Sequence, residues 1–250
     1  MRKIRAKKYH TVYIVGAGPG DPELMTLKTH RLLTEYADVV VYDRLVSGEV
    51  IKRIPKGVER VYAGKSCKKH HMTQEEINAE LVAQAKRGKK VVRLKGGDPF
   101  IFGRGGEETE HCRANGVPYE VVSGVSSASA ISSALGIPLT HRGLATGVRF
   151  ITGHQQKGEP AVHDWKGLAD AETTLVVYMG LANLETIAKE LIKAGLSKHT
   201  PVAAIQSGTL PEERRCFSTL AKIAKDVKRE AFEPPTLIII GKVVALSPYR

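Results

Sequence analysis

Two rhythms of apolar positions alternate along the chain. Short runs rich in valine, isoleucine and tyrosine predict strands, and stretches with apolar residues at every third or fourth position predict helices. In the first half, strands are expected at residues 11–15, 38–42 and 58–62, from Val91 onward, and at 119–122. Between them, residues 23–36 place Leu24, Leu27, Arg31, Leu32 and Leu33 on one helical stripe. Thr73-Gln74-Glu75-Glu76 is a capping box that opens a helix running to Arg87, with Ile77, Leu81 and Ala85 inward and Gly88 as its stop. A further helix covers 108–115 and stops at Gly116. The second half predicts strands at 148–152, 173–178, 202–205 and 214–218, and helices at 183–194 and 220–228. Residues 155–166 read as polar and irregular, and 136–143 as a break. Residues 235–240 and 242–246 read as a closing hairpin around Gly241. Strict β/α alternation argues a parallel sheet in the first half, and the mixture that follows argues a mixed sheet. The chain is therefore expected to form two α/β domains: a basic tail at 1–10, an N-terminal domain at 11–122 and a C-terminal domain at 123–250, with the boundary near residues 123–127.

Composition narrows the class. A hydrophobic fraction of 42% and a charged fraction of 26% are ordinary globular values. No apolar run approaches the ~20 residues of a membrane helix, and the first ten residues lack the apolar core of a secretory signal. The 3 cysteines, Cys67, Cys112 and Cys216, are scattered, which excludes a disulfide framework and predicts a reducing, cytoplasmic setting. The net charge of +12 suits a nucleic acid, an acidic surface or a polyanionic small substrate. With aromatics at 6% and no RNA-binding signature, charge alone does not make this a nucleic-acid protein.

The chemistry sits where strands end. The run from Val91 to Glu108 passes from a buried strand through Gly96-Gly97-Asp98-Pro99 and Phe100-Ile101-Phe102 into Arg104 and Glu107. The two glycines permit positive φ and close approach of a ligand, and Pro99 cannot continue a ladder. A strand, a glycine-rich loop and a helix in that order build a site at the carboxyl end of a sheet. Gly16-Ala17-Gly18-Pro19-Gly20-Asp21-Pro22 begins like a dinucleotide fingerprint, but its third glycine would fall on Asp21, a carboxylate that repels phosphate. That loop favours a ligand carrying positive charge. Asp43 stands at the end of a strand, either as a site residue or as the cap of the next helix. Cys67, His70 and His71 lack a second ligand pair, so no metal is expected. The small residues at 123–130 allow close approach of a ligand or of another helix.

Taken together these loops resemble the uroporphyrinogen-III C-methyltransferases, within the wider tetrapyrrole methylase family. The resemblance runs from about Thr11 to Leu246. It rests on the motifs at 15–21, 42–46, 93–108, 136–142 and 178–181, of which 93–108 is highly specific. It implies the two-domain α/β fold of class III methyltransferases, with S-adenosylmethionine in a cleft between the domains, and a homodimer. It also implies methylation of uroporphyrinogen III at C2 and C7, giving precorrin-2 and S-adenosylhomocysteine. By resemblance the donor is held by Pro19, Gly96, Gly97, Asp98, Ile101, Ser126, Ser127, Met179 and Gly208. Acid/base roles fall on Asp43 and Lys65, with Arg104 a further catalytic candidate, while Arg104, Glu107, Arg142 and Met179 surround the tetrapyrrole. Two departures from relatives are Ser126-Ser127, often Thr and a small residue, and Ser123, often Pro.

The residues fit that role. Methylation of an electron-rich ring carbon must be followed by loss of a proton, so a base is required. Asp43 suits it by charge; Arg104 does not, because guanidinium hardly deprotonates, and is better placed to bind a substrate carboxylate. Lys65 could move a proton only if burial lowered its pKa. A polycarboxylate macrocycle accounts for the basic bias better than nucleic acid does. The alternatives are a sister methylase acting on a later corrin precursor, a nicotinamide-dependent oxidoreductase suggested by Gly16-Ala17-Gly18 and Asp43, and a non-catalytic RNA-binding module.

Overall fold

A computed structural model of the chain describes residues 9–64, 72–153 and 162–250. The chain divides into two compact units, Met1–Ser126 and Ser127–Arg250. Among the described residues no helix is long and apolar enough to cross a membrane.

The first unit carries five strands, β1 (Val12–Gly16), β2 (Val39–Tyr42), β3 (Glu59–Tyr62), β4 (Val91–Lys95) and β5 (Tyr119–Val122), in the order β3-β2-β4-β1-β5. Every pairing is parallel, as the alternation of elements predicts. The helices are α1 (Leu27–Arg31), α2 (Gly48–Lys52), α3 (Gln74–Lys86) and α4 (Gly105–Ala114). Strand periodicity splits the core in two. Val12, Ile14, Val39, Val41 and Val91 face Ile77, Leu81, Ala85 and Cys112 of α3 and α4. Val15, Val40, Val92 and Leu94 face Leu32, Leu33, Val50 and Ile54 on the other side. The capping box at Thr73 and Glu76 is present in both directions.

The second unit has α5 (Ser127–Ala134), β6 (Gly147–Thr152), α6 (Trp165–Leu168), β7 (Thr173–Tyr178), α7 (Leu184–Lys193), β8 (Pro201–Gln206), β9 (Arg214–Thr219), α8 (Ile223–Arg229) and β10 (Thr236–Ile240). Its sheet order is β6-β7-β10-β8-β9, with β6 parallel to β7 and the other pairings antiparallel. This sheet too is covered on both faces, by α7 and α8 on one and by α5 with Val243 and Val244 on the other.

Three expectations need correction. The helix expected over 23–36 is interrupted: Asp21 caps a single 3-10 turn, Pro22–Leu24, and Met25 and Thr26 are extended. Thr26 then caps α1 through the Thr29 N–H, and the helix continues as a π turn, Leu32–Tyr36. Leu27, placed on the inner stripe, is 91% exposed. The expected final hairpin is absent, because β10 already has β7 and β8 on its two sides and no edge is left for another strand. Residues Lys242–Leu246 form a 3-10 turn that buries the consecutive Val243 and Val244. The stretch 155–166 ends in the short α6, opened by Asp164, whose carboxylate accepts the Gly167 N–H.

Candidate active site

Because all five strands of the first sheet run the same way, the loops after β1, β2, β4 and β5 emerge together at its carboxyl end. Backbone atoms hold them in direct contact. Gly18 and Gly97 exchange N–H···O bonds of 3.3 and 2.7 Å, and the Ala17 N–H donates to the Lys95 carbonyl at 2.7 Å. A Cβ on Gly16 would stand 2.4 Å from the Gly97 oxygen and 2.5 Å from Gly124 Cα, so only glycine lets three loops meet there. One on Gly96 would stand 2.8 Å from Leu45 Cβ in the loop after β2. Asp98 ties the assembly: Oδ1 accepts the Phe100 N–H at 2.8 Å and Oδ2 the Gly124 N–H at 3.1 Å. Hence Gly16 and Gly18 of the fingerprint-like run join this loop to its neighbours.

Asp43 does not cap a helix; Ser47 caps α2. Asp43 Oδ1 accepts the Leu45 N–H at 3.1 Å, and Oδ2 accepts from Arg93 Nη2 at 2.8 Å. Arg93 leads into a buried ionic cluster. Val91, Arg93 and Lys95 alternate onto the strand face covered by α3 and α4, and α4 answers with Glu108. Glu108 Oε1 accepts from Arg93 Nε at 2.9 Å, from Lys95 Nζ at 2.8 Å and from Gln74 Nε2 at 3.3 Å. Arg93, Lys95 and Glu108 are 2%, 4% and 0% exposed, and Asp43 is 25% exposed. Burial alone would lower the Arg93 pKa, but the charges of Glu108 and Asp43 outweigh it and raise it above the ordinary value. For Lys95 burial wins, helped by the charge of Arg93, and its pKa falls below the ordinary lysine value.

Arg104 sits at φ 59° and forks onto Glu107 with two bonds of 2.7 Å. The hydrogen bond to Glu107 raises the arginine's pKa and lowers the carboxylate's, on a surface where both are about half exposed. In the second unit, Met179 follows β7 and Gly208 follows β8, two strands that run the same way because both oppose β10. A Cβ on Gly208 would meet Ile131 of α5 at 2.5 Å. The Tyr178 hydroxyl accepts the N–H of Ala128 near the start of α5, close to Ser127. Arg142 is exposed, and its guanidinium makes no hydrogen bond or ion pair among the described residues. Lys65, like Cys67, His70 and His71, lies outside the described residues.

Backbone strain marks the same loops. The described non-glycine residues with left-handed φ are Phe102, Arg104, Met179, Ser207, Thr209 and Ala231; all but Ala231 stand in the loops after β4, β7 and β8. Thr209 is β-branched, and its hydroxyl is buried with no partner among the described residues. Sequence reasoning missed Thr209 and the Arg93–Glu108–Lys95 cluster. The cluster had a signal: two cations at alternate positions of an otherwise apolar strand, followed by a helix rich in glutamate. For Thr209 only its place beside Gly208 could have pointed to it.

A parallel α/β sheet with a backbone-linked glycine loop at its carboxyl end, joined to a mixed α/β unit with strained loops after two co-directed strands, defines an enzyme scaffold of the class III methyltransferase type. Residues 11–224 match the model of the family described as Tetrapyrrole (Corrin/Porphyrin) Methylases, and the chain belongs to that family. It is 51% identical over 235 residues to a siroheme synthase of Acinetobacter baylyi, covering 94% of this chain and 51% of that protein. Over 238 residues it is 49% identical to the chloroplastic S-adenosyl-L-methionine-dependent uroporphyrinogen III methyltransferase of Arabidopsis thaliana, covering 95% and 64%. The crystal structure of uroporphyrin-III C-methyl transferase from Thermus thermophilus complexed with S-adenyl homocysteine aligns with a TM-score of 0.80 and 44% identity, covering 94% and 93%. The chain spans about half the length of the siroheme synthases it matches.

Proposed function

We propose that this chain transfers methyl groups from S-adenosylmethionine to C2 and C7 of uroporphyrinogen III, giving precorrin-2 and S-adenosylhomocysteine. The observation that carries the reading is the 93–108 stretch, in which Arg93 holds the Asp43 carboxylate, a glycine loop follows, and Arg104 and Glu107 form a fork at the start of α4. The similarity to a structure solved with S-adenyl homocysteine supports the donor. The residues also fit it chemically: the loop at 16–22 bears a carboxylate and no cation, as suits a sulfonium, and Thr209 has an unused buried hydroxyl beside Gly208. Pro19, Gly96, Gly97, Asp98, Ile101, Ser126, Ser127, Met179 and Gly208 would hold the donor, largely through backbone groups.

The donor supplies an electrophilic methyl on a leaving group that needs no activation. The protein's share is alignment of the ring carbon with that methyl, exclusion of water, and removal of the proton that the new C–C bond makes acidic. Asp43 is the base in this reading: held at both oxygens and only partly buried. Lys65 is assigned the onward transfer of the proton that Asp43 takes from the methylated ring. Arg142, whose guanidinium has no partner among the described residues, is assigned to a substrate carboxylate. Arg104 must share its fork between Glu107 and the substrate, so Glu107 sets the orientation of that contact; Met179 is assigned to the substrate as well. We further assign the chain to a homodimer in a reducing cytoplasm or equivalent compartment, its product feeding sirohaem or cobalamin synthesis. Mass analysis after incubation with uroporphyrinogen III and S-adenosylmethionine tests the activity. Two added methyl groups are expected; a single transfer, or transfer only to a corrin precursor, would overturn it in favour of the sister methylase.

A further inference from the structure

We propose that Lys95 and Glu108 are positioning residues that ration the charge of Arg93 between two carboxylates and so set the pH at which Asp43 takes up a proton. The inference rests on the reading of Asp43 as the base.

Glu108 Oε1 receives all three donors, Arg93 Nε, Lys95 Nζ and Gln74 Nε2, while Oε2 is buried without a partner among the described residues. The two cations therefore compete for a single oxygen. Arg93 spends its remaining donors on the Val41 and Leu94 carbonyls through Nη1 and on Asp43 through Nη2. It thus bridges an inner anion, Glu108, and an outer one, Asp43. Whatever Glu108 draws from Arg93 is withdrawn from Asp43, and Lys95 limits that draw by neutralising Glu108. At this depth the charges are weakly screened, so a change at Lys95 reaches Asp43 through Arg93. The charged and titratable groups bearing on the cluster are Asp43 after β2, Arg93 and Lys95 on β4, Glu107, Glu108 and Cys112 on α4, and Arg104 just before α4 with Glu75 of α3 acting on it. Lys95 never needs to touch substrate in this scheme.

Lys95→Met keeps the volume and removes the charge. Glu108 then leans wholly on Arg93, the field at Asp43 becomes less positive, and its carboxyl should titrate about one pH unit higher than in the parent. Glu108→Gln frees Arg93 for Asp43 and should move the midpoint the other way, and Lys95→Arg should restore it. The midpoint is read by carbon-13 NMR of labelled carboxyl groups in the full chain, with Asp43 assigned from the spectrum of Asp43→Asn. The acidic limb of kcat/KM with uroporphyrinogen III and S-adenosylmethionine is measured alongside. Opposite shifts in the two variants, rescued by arginine, are expected; a purely structural pair would not give opposite signs. Midpoints unchanged in folded Lys95→Met and Glu108→Gln would overturn the proposal. If only one variant folds, its sign alone decides. Midpoints that move while the acidic limb stays put would instead overturn Asp43 as the base.

Discussion

Gly16→Ala puts a methyl group where three backbones already touch. Its Cβ would lie 2.4 Å from the Gly97 oxygen, about 1.0 Å short of the 3.4 Å at which ordinary contact begins, and 2.5 Å from Gly124 Cα and N. Neither neighbour can rotate away, because both are main chain. Gly97 is held by its bridge to Gly18, and Gly124 by Asp98. Forcing a methylene-sized group into such a site costs ~1–3 kcal/mol. Against it stands the stiffening of the unfolded chain that any Gly→Ala change brings, ~0.4–1 kcal/mol in favour of the folded state. Gly106→Ala isolates that second effect: it lies in the first turn of α4, without positive φ, and a Cβ there meets nothing within 4 Å. Gly106→Ala should therefore stabilise slightly, while Gly16→Ala destabilises; the unfolded-state term is common to both, so the two should be separated by the ~1–3 kcal/mol of the overpacking alone, in urea unfolding followed by far-ultraviolet circular dichroism. Gly16→Ala must also displace Gly97, so S-adenosylhomocysteine affinity by calorimetry should fall about tenfold or more, or ~1.4 kcal/mol. Equal stability of the two variants would refute the three-glycine contact, and a stability loss with unchanged donor affinity would separate that contact from the donor loop.

Other expectations follow from single residues. Arg142→Lys should raise the KM for uroporphyrinogen III up to ~10-fold through loss of a bidentate contact, with donor affinity unchanged, because lysine is only a point charge; an unaltered KM would remove Arg142 from the substrate wall. Asp43→Asn should lower turnover by ~100-fold or more while S-adenosylhomocysteine still binds, and near-normal turnover would exclude Asp43 as the base. Burial, with Glu108 adding to it at Cys112 and Glu230 at Cys216, pushes both thiols from 9.0 up to about 11. In a Cys67→Ser background neither should react with a disulfide reagent near pH 8 until denaturant is added; rapid labelling of the native protein would refute their burial. The sign of the linkage is fixed: between pH 9 and 11 the unfolded thiols ionise first, so these two groups lower stability as pH rises through that window.

Most of the strand framework was legible because its cause is local. Runs such as Val39–Tyr42 and Thr173–Tyr178 are dominated by β-branched and aromatic residues without apolar–polar alternation, as a strand in a sheet covered on both faces allows. The capping box at Thr73 likewise names its own partners. What failed depended on tertiary placement. Residues 242–246 have strand-like composition, but whether they pair depends on β10 being central, which their own sequence does not encode. The stripe through Leu24 and Leu27 ignores the polar chemistry of Asp21 and Thr26, each of which starts its own turn. At the site, the glycine loop was visible from its punctuation. Arg93 and Glu108 were not, because a buried ion pair between a strand and the next helix becomes recognisable only once the strand's inward face is known.

β4 joins these features into one device. Its alternate side chains Val91, Arg93 and Lys95 face α3 and α4, where a salt bridge is buried away from water and can hold Asp43 from below. The intervening Val92 and Leu94 fasten the strand to the opposite core layer, which fixes its height in the sheet. Immediately past Lys95 the side chains end, and Gly96 and Gly97 let main chain lie directly against the loops after β1 and β2. A single strand thus supports Asp43 through its side chains and the glycine loop through its backbone, with the division falling between Lys95 and Gly96. The two tasks make opposite demands: holding a carboxylate from below takes long charged side chains in a dry layer, and close packing of main chain takes no side chains at all. Placing them in series along one strand satisfies both without either intruding on the other, and it ties the position of the loop to the position of Asp43.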